Sequence, residues 1–190
     1  MTPEQARQTL AGAELLSPAA VVAAAVERIA AQVSATLGER NPLVLAVMGG
    51  AVVFAGALLP RLAFPLEFDF VHVSRYNDDT SGGELRWRIS PDERVSGRCV
   101  LVLDDVLDEG VTLAAVKARL LELGASACHT AVMVDKDLGR DKPIRADFVG
   151  LTLPDRYLFG YGMDIAGYWR NLPEIYALKR EHRAAPALED

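Results

Sequence analysis

VLVLDDVLDEGVTLAAV, residues 100–116, decides the fold. Its first four residues are aliphatic or β-branched without polar alternation, the pattern of a strand covered on both faces, as in a parallel sheet. Asp104 and Asp105 follow at the carboxyl end expected for that strand, where open α/β sheets bind ligands. Asp108, Glu109, Gly110, Val111 and Thr112 then form a tight loop. Gly110 supplies backbone freedom, and Thr112 is placed to cap a helix that begins near it. Backbone N–H groups at such a turn lack helical partners and, with the helix dipole, favour a phosphate. The carboxylates at the strand tip stay free for the hydroxyls of a sugar or for a hydrated magnesium ion, both of which suit hard oxygen ligands. Phosphate plus ribose is the combined signature. An acid pair alone fits a solvated βα turn in any doubly wound protein equally well.

Outward from this stretch the chain alternates strands with helices. Ser17 and Pro18 read as the start of a helix, serine as cap and proline in the first turn, and Val22, Val26, Ile29 and Val33 recur at helical spacing to give it an apolar face. Residues 43–48 read as a core strand, Gly49 and Gly50 as its turn, and residues 51–62 as a helix closed by Pro65. Residues 66–76 and 84–89 read as paired strands around NDDTSGG, residues 77–83, which is too polar to pack and reads as an exposed loop. A helix over residues 112–123 and a strand over residues 127–135 complete the pattern, which calls for an α/β fold with a mostly parallel sheet. The charged residues 179–190 read as a frayed tail.

Composition bounds the function without finding it. With 190 residues and 51% hydrophobic content, the chain can bury one substantial core, and no composition break divides it. A net charge of -6 argues against a general nucleic-acid or membrane-surface binder, which needs a basic stripe. Cys99 and Cys128 lack CxxC partners and lie in apolar segments, the pattern of buried reduced thiols in a cytoplasmic protein. No signal peptide is visible, and no apolar run reaches membrane-spanning length. His72, His129 and His182 have no partners at metal-ligand spacing.

The opening stretch resembles the phosphoribosyl pyrophosphate (PRPP) motif of type I phosphoribosyltransferases, and further segments carry the resemblance along most of the chain. Met48-Gly49-Gly50 is similar to the pyrophosphate loop, and Arg75-Tyr76-Asn77 to the start of the mobile active-site loop. Val134-Asp135-Lys136, then ADFVG at 146–150 and PDRYLFGYGMD at 154–164, resemble the base-binding part of hypoxanthine-guanine phosphoribosyltransferases, and the likeness continues through Arg170-Asn171-Leu172-Pro173. The resemblance implies the type I fold: a core of residues 37–150, a small hood from the N-terminal residues and residues 151–178, and one unit over 1–178.

It also implies roles for matching residues. Asp108 corresponds to the carboxylate that handles the purine N7 proton, Asp104 and Asp105 to the pair that contacts the ribose hydroxyls directly or through magnesium, and residues 108–112 to the cradle of the 5′-phosphate. Lys136 corresponds to the donor for the exocyclic oxygen of a 6-oxopurine. An ammonium only donates, so it penalises the amino group of adenine. Taken alone, it would read as an ordinary surface lysine. Tyr157 matches the aromatic that stacks on the base, and Leu158 a position whose backbone bonds the base edge; singly, both read as sheet core. Asp164 corresponds to the acid on the pyrophosphate-side magnesium and Arg170 to the cation that meets the leaving pyrophosphate. Asp164 as a helix cap and Arg170 paired with Glu174 are the structural alternatives.

Departures from the family pattern are equally specific. Met48 stands for a lysine, Arg75 for a serine, and Glu109 and Val111 for a threonine and a lysine or similar residue. Glu109 adds negative charge near a phosphate, so its side chain is expected to face solvent or a neighbouring cation. A non-proline cis peptide is expected around residues 47–49, and residues 75–83 are expected to act as a lid anchored by Tyr76. The expected reaction converts PRPP and hypoxanthine or guanine to IMP or GMP and pyrophosphate with Mg2+, in a homodimer or homotetramer. A preference for xanthine or hypoxanthine alone, a PRPP-sensing regulator without catalysis, and an unrelated phosphate-binding α/β protein are the alternatives.

Overall fold

The computed structural model describes residues 1–75 and 85–179. Within these, helices α1 (Pro3–Gly12), α2 (Ala19–Leu37), α3 (Val52–Leu58) and α4 (Val111–Glu122) accompany two sheets. The larger sheet contains β2 (Leu43–Met48), β3 (Glu67–Arg75), β4 (Leu85–Ile89), β5 (Cys99–Leu107), β6 (Ala127–Asp137) and β7 (Phe148–Pro154). Its order is β4-β3-β2-β5-β6-β7, and every neighbouring pair is parallel except β3 with β4. The smaller, antiparallel sheet joins β1 (Glu14–Ser17), β9 (Ile175–Ala177) and β8 (Leu158–Phe159) in that order, so it is built from both ends of the chain.

Apolar side chains cover both faces of the large sheet, which is why its central strands show no polar alternation. Val26, Ile29 and Val33 of α2 and Phe54 of α3 pack over Leu101, Leu103 and Met133 on one face. Val116 and Leu120 of α4 pack over Val71, Val100, Val102 and Val132 on the other. The apolar face expected of α2 is thus buried. Against the expectation that no apolar run reaches membrane-spanning length, that helix is long and apolar enough to cross a membrane by length and composition. Here it is a core helix, and its two charged residues are committed to the fold: Glu27 pairs with Arg61 at 2.5 Å, and Arg28 donates to the carbonyl of Gly150.

The sheet also sets where a ligand can enter. From β2 the order runs to β3 on one side and to β5 on the other, which places a topological switch point between β2 and β5. β2 pairs with β5 only as far as Ala46 with Leu103. Beyond Leu103, β5 continues along β6, with Asp104 opposite Val132 and Leu107 opposite Asp135. The acids therefore lie inside a strand that runs four residues past the expected end, because β6 still offers a ladder after β2 has turned away.

Several other boundaries differ from the sequence expectation. Gly110, with φ +82°, is the N-cap of α4, and no side chain caps it; Thr112 is instead the second helical residue. Ser17 does not cap α2, because it pairs with Ile175 at the end of β1, and Pro18 takes the cap position. The helix expected over 51–62 shortens to α3 and continues as a 3-10 turn over Leu59–Arg61, where Pro60 brings no N–H for an α-type bond. α1 was not anticipated, although Thr2 and Gln5 form a capping box at its start.

Candidate active site

At the switch point a cavity of about 350 Å³ opens, lined among others by Met48, Gly50, Asp104, Asp105, Asp108 and Arg170. Gly110 and Thr112 also face it, so three separate segments picked out in the sequence converge on one space. The turn after β2 approaches Asp105 so closely that only glycine fits: a Cβ on Gly50 would fall 1.9 Å from Oδ2 of Asp105. On its other side, a Cβ on Gly162 would meet the Gly50 carbonyl oxygen at 2.1 Å. The Met48–Gly49 peptide between these layers is cis, as the resemblance implied.

Asp104 and Asp105 are each only 9% exposed. Burial pushes both carboxyl groups up from the usual range, and the neighbouring charge of Asp105 pushes Asp104 well up. Arg170 draws Asp105 partly back. The backbone N–H of Asp105 donates to Oδ1 of Asp104 at 3.0 Å and that of Val106 to Oδ1 of Asp105 at 2.9 Å, leaving further oxygen valences for a ligand. Two buried acids beside an open cavity suit a cation that retains water and substrate oxygens, as Mg2+ does. Among the described residues no group of three His, Cys, Asp or Glu side chains forms a protein-only metal cage.

Asp108 lies just past the end of β5, and Lys136 is on the adjoining β6. Lys136 Nζ donates to Oδ2 of Asp108 at 2.9 Å; the lysine side chain is 11% exposed and the aspartate 46%. Lys136, which taken alone reads as an ordinary surface lysine, is thus nearly buried and paired. Glu109 turns to Arg140, 3.1 Å away, as its expected avoidance of a phosphate requires.

Arg170, which also lines the cavity, donates to the Gly162 carbonyl at 2.6 Å and pairs with Oδ1 of Asp164, also at 2.6 Å. Asp164 Oδ2 accepts from the N–H of Gly167 at 2.7 Å in a turn rather than at a helix start. In place of the two structural alternatives, a helix cap for Asp164 and a Glu174 partner for Arg170, the two residues pair with each other. Tyr157 is 53% exposed, and its hydroxyl donates to the Asp164 carbonyl at 3.3 Å. The Leu158 side chain is buried, and its backbone belongs to the β8–β9 pair. Val111 is exposed on the first turn of α4. Arg75 ends β3 beside Leu85, while Tyr76 and the rest of the expected lid lie outside the described residues.

Lys142 is a site-adjacent residue that no motif marks. Its ammonium, on a side chain only 9% exposed, donates to the Leu107 carbonyl at 2.7 Å and to Oδ1 of Asp135 at 2.6 Å. In GRDKP it reads as an ordinary charged turn residue, and no local pattern announces a partner in β5.

Residues 14–166 match the family model of the phosphoribosyl transferase domain. The hypoxanthine-guanine phosphoribosyltransferase of Bacillus subtilis is 36% identical over 155 residues, covering 81% of this chain and 86% of that one. A bifunctional TilS/HprT protein of Listeria innocua is 37% identical over 157 residues; the match takes in 82% of this chain but only 24% of that longer protein. A crystal structure of a hypoxanthine-guanine phosphoribosyltransferase from Bacillus anthracis superposes with a TM-score of 0.81 at 28% identity, covering 87% of this chain and 98% of the other. The chain belongs to the type I phosphoribosyltransferase family, in its hypoxanthine-guanine, purine-salvage branch.

Proposed function

We propose that the protein transfers the 5-phosphoribosyl group of PRPP to hypoxanthine or guanine, giving IMP or GMP and pyrophosphate. The Asp108–Lys136 pair carries this reading. A 6-oxopurine places an oxygen acceptor at position 6 beside a protonated N7, so its edge needs a donor and a proton acceptor side by side. Lys136 supplies the first and Asp108 the second, and both exchange their mutual bond for bonds to the base. Adenine would set its amino group against the ammonium, leaving two donors facing each other.

The remaining side chains divide the rest of PRPP. N–H groups at the start of α4 take the 5′-phosphate, and Asp104 and Asp105 take the ribose hydroxyls. Tyr157 stacks on the base, with its hydroxyl held at Asp164, and the Leu158 backbone contacts the base edge. Arg170 offsets charge on the departing pyrophosphate and gives up its bond to Asp164 to do so. Met48, Gly49 and Gly50 present backbone groups to that same pyrophosphate. Asp104 and Asp105 on the ribose side, and Asp164 on the pyrophosphate side, would separately hold Mg2+, which would supply charge neutralisation at the ribose and pyrophosphate oxygens. Arg75 and Tyr76 begin a lid that excludes water from an oxocarbenium-like centre.

The catalytic unit is assigned to residues 1–178, with a hood from both termini over a core of 37–150, working in the cytoplasm as a homodimer or homotetramer. Incubation with magnesium, PRPP and each of hypoxanthine, guanine, xanthine and adenine tests the proposal. Nucleotide and pyrophosphate should appear with the first two and not with adenine. PRPP binding without turnover on any base would leave a regulator instead.

A further inference from the structure

Lys142 lies outside the cavity, yet it grips both strands that carry the proposed base-binding pair. Leu107 and Asp135 are the last partners in the β5–β6 ladder, and Lys142 donates to the carbonyl of the one and the carboxylate of the other. The next residue along β5 is Asp108, and the next along β6 is Lys136. Past this rung β5 has no further ladder to hold it. β6 continues against β7, with Lys136 opposite Leu153. The β5 end is thus the weakly held partner, and the Lys142 ammonium ties it to the strongly held one.

The turn that carries Lys142 reinforces the same contact. Pro143 and Ile144 pack so closely under Gly110 that a Cβ there would meet them at 3.4 and 3.2 Å, and Arg140 holds Glu109. Two consecutive residues of the loop after β5, Glu109 and Gly110, together with Leu107, therefore rest on residues 140–144, with Lys142 as the buried charge among these contacts.

We infer that Lys142 is a positioning residue: by closing the end of the β5–β6 ladder it fixes the spacing between Asp108 and Lys136 that a 6-oxopurine must match. This rests on the base-binding roles proposed above. With Lys142 removed, the Leu107 carbonyl and Asp135 lose a donor, and the turn at Asp108 gains a freedom that β2 cannot restrain. Displacement of a reacting group by an ångström can cost on the order of a hundredfold in rate.

Lys142→Met keeps the chain length and removes the donor; Asp135→Ala removes the acceptor, and Asp135→Asn keeps one. For Lys142→Met and Asp135→Ala, kcat/KM for hypoxanthine should fall by about tenfold or more, with KM for PRPP within about threefold of the parent. Asp135→Asn should retain most of the rate. Amide hydrogen exchange over residues 107–110 should accelerate in the two disruptive variants and not in Asp135→Asn. If Lys142→Met does not fold, the two Asp135 variants decide. Unchanged exchange, unchanged kinetics, or equal loss toward both substrates would overturn the assignment. Exchange is read without turnover, so a parent protein inert toward every base would defeat the proposed function while exchange still judged the clamp.

Discussion

Two lysine–aspartate pairs lie one residue apart where β5 and β6 end, and they differ in what surrounds them. Lys142–Asp135 is short, at 2.6 Å, its lysine is 9% exposed, and the ammonium has a second acceptor in the Leu107 carbonyl. Lys136–Asp108 is longer, at 2.9 Å, and its aspartate is half exposed at the cavity. The same two chemical groups are thus fixed in one place and exchangeable in the other. The second acceptor for the lysine makes most of the difference, the acids being 32% and 46% exposed, since a pair with an open side can trade its partner for a ligand at little desolvation cost. The closed pair keeps the rung in place while the open one changes hands.

The largest expected effect breaks the open pair from its acidic side. Asp108→Asn keeps the shape but cannot accept the N7 proton, and kcat should fall by about 10²- to 10⁴-fold. PRPP affinity should change little, since the backbone of the loop is retained; isothermal titration with PRPP beside steady-state kinetics separates the two. A variant with the parent's rate would end the proton-acceptor assignment.

From its basic side the open pair should give a smaller loss and a change of selectivity. Lys136→Met removes one charged hydrogen bond to the base, so kcat/KM for hypoxanthine should fall by about 10- to 100-fold. The penalty on adenine should shrink in the same variant, because the opposing donor is gone. Rates with the two bases, compared in one preparation, check both halves of the prediction.

How much of this was legible in the sequence differs between the two pairs for a physical reason. Asp108 and Lys136 lie in local motifs, a βα turn and a strand end, whose spacing is fixed by short-range geometry. The convergence of Met48, Asp104, Asp105, Asp108 and Arg170 on one cavity followed from the family order of the same motifs. The strands flanking them were readable because a doubly covered sheet leaves unbroken apolar runs. Lys142 was not readable, because its partners lie 35 and 7 residues away and nothing in GRDKP differs from a solvated turn. The extent of β5 beyond Leu103 was hidden for a related reason. Whether a strand continues through Asp104 and Asp105 depends on whether a neighbour continues beside it, and β6 does while β2 does not. Ser17 had the chemistry of a cap, but the pairing of β1 with β9 used its backbone first.

Equilibrium stability should reverse the order that activity gives. Lys142→Met leaves a nearly buried carbonyl and a carboxylate short of a donor, at a cost of about 2–3 kcal/mol. Lys136→Met breaks a pair whose acid is half exposed and should cost less than about 1 kcal/mol. Urea midpoints of the two variants, measured without ligand, sharpen the contrast. Equal losses would mean that the two pairs differ less than their surroundings indicate.

The smallest effect belongs to a third pair, on the rim of the same loop. Glu109 and Arg140 are 3.1 Å apart with side chains 50% and 65% exposed, so solvent and salt screen them strongly. Arg140→Ala should change stability by about 0.5 kcal/mol or less. Its kinetic effect is more informative, because it takes one cation away from Glu109 beside the proposed 5′-phosphate cradle. KM for PRPP should rise by about twofold to fivefold at low ionic strength, and the rise should fade at high salt, while Glu109→Gln in the same background restores the parent value. If Arg140→Ala raised KM for hypoxanthine instead, the rim pair would have to act through Asp108 and the Lys142 turn, and the separation between clamp and exchangeable pair would have to be redrawn to include it.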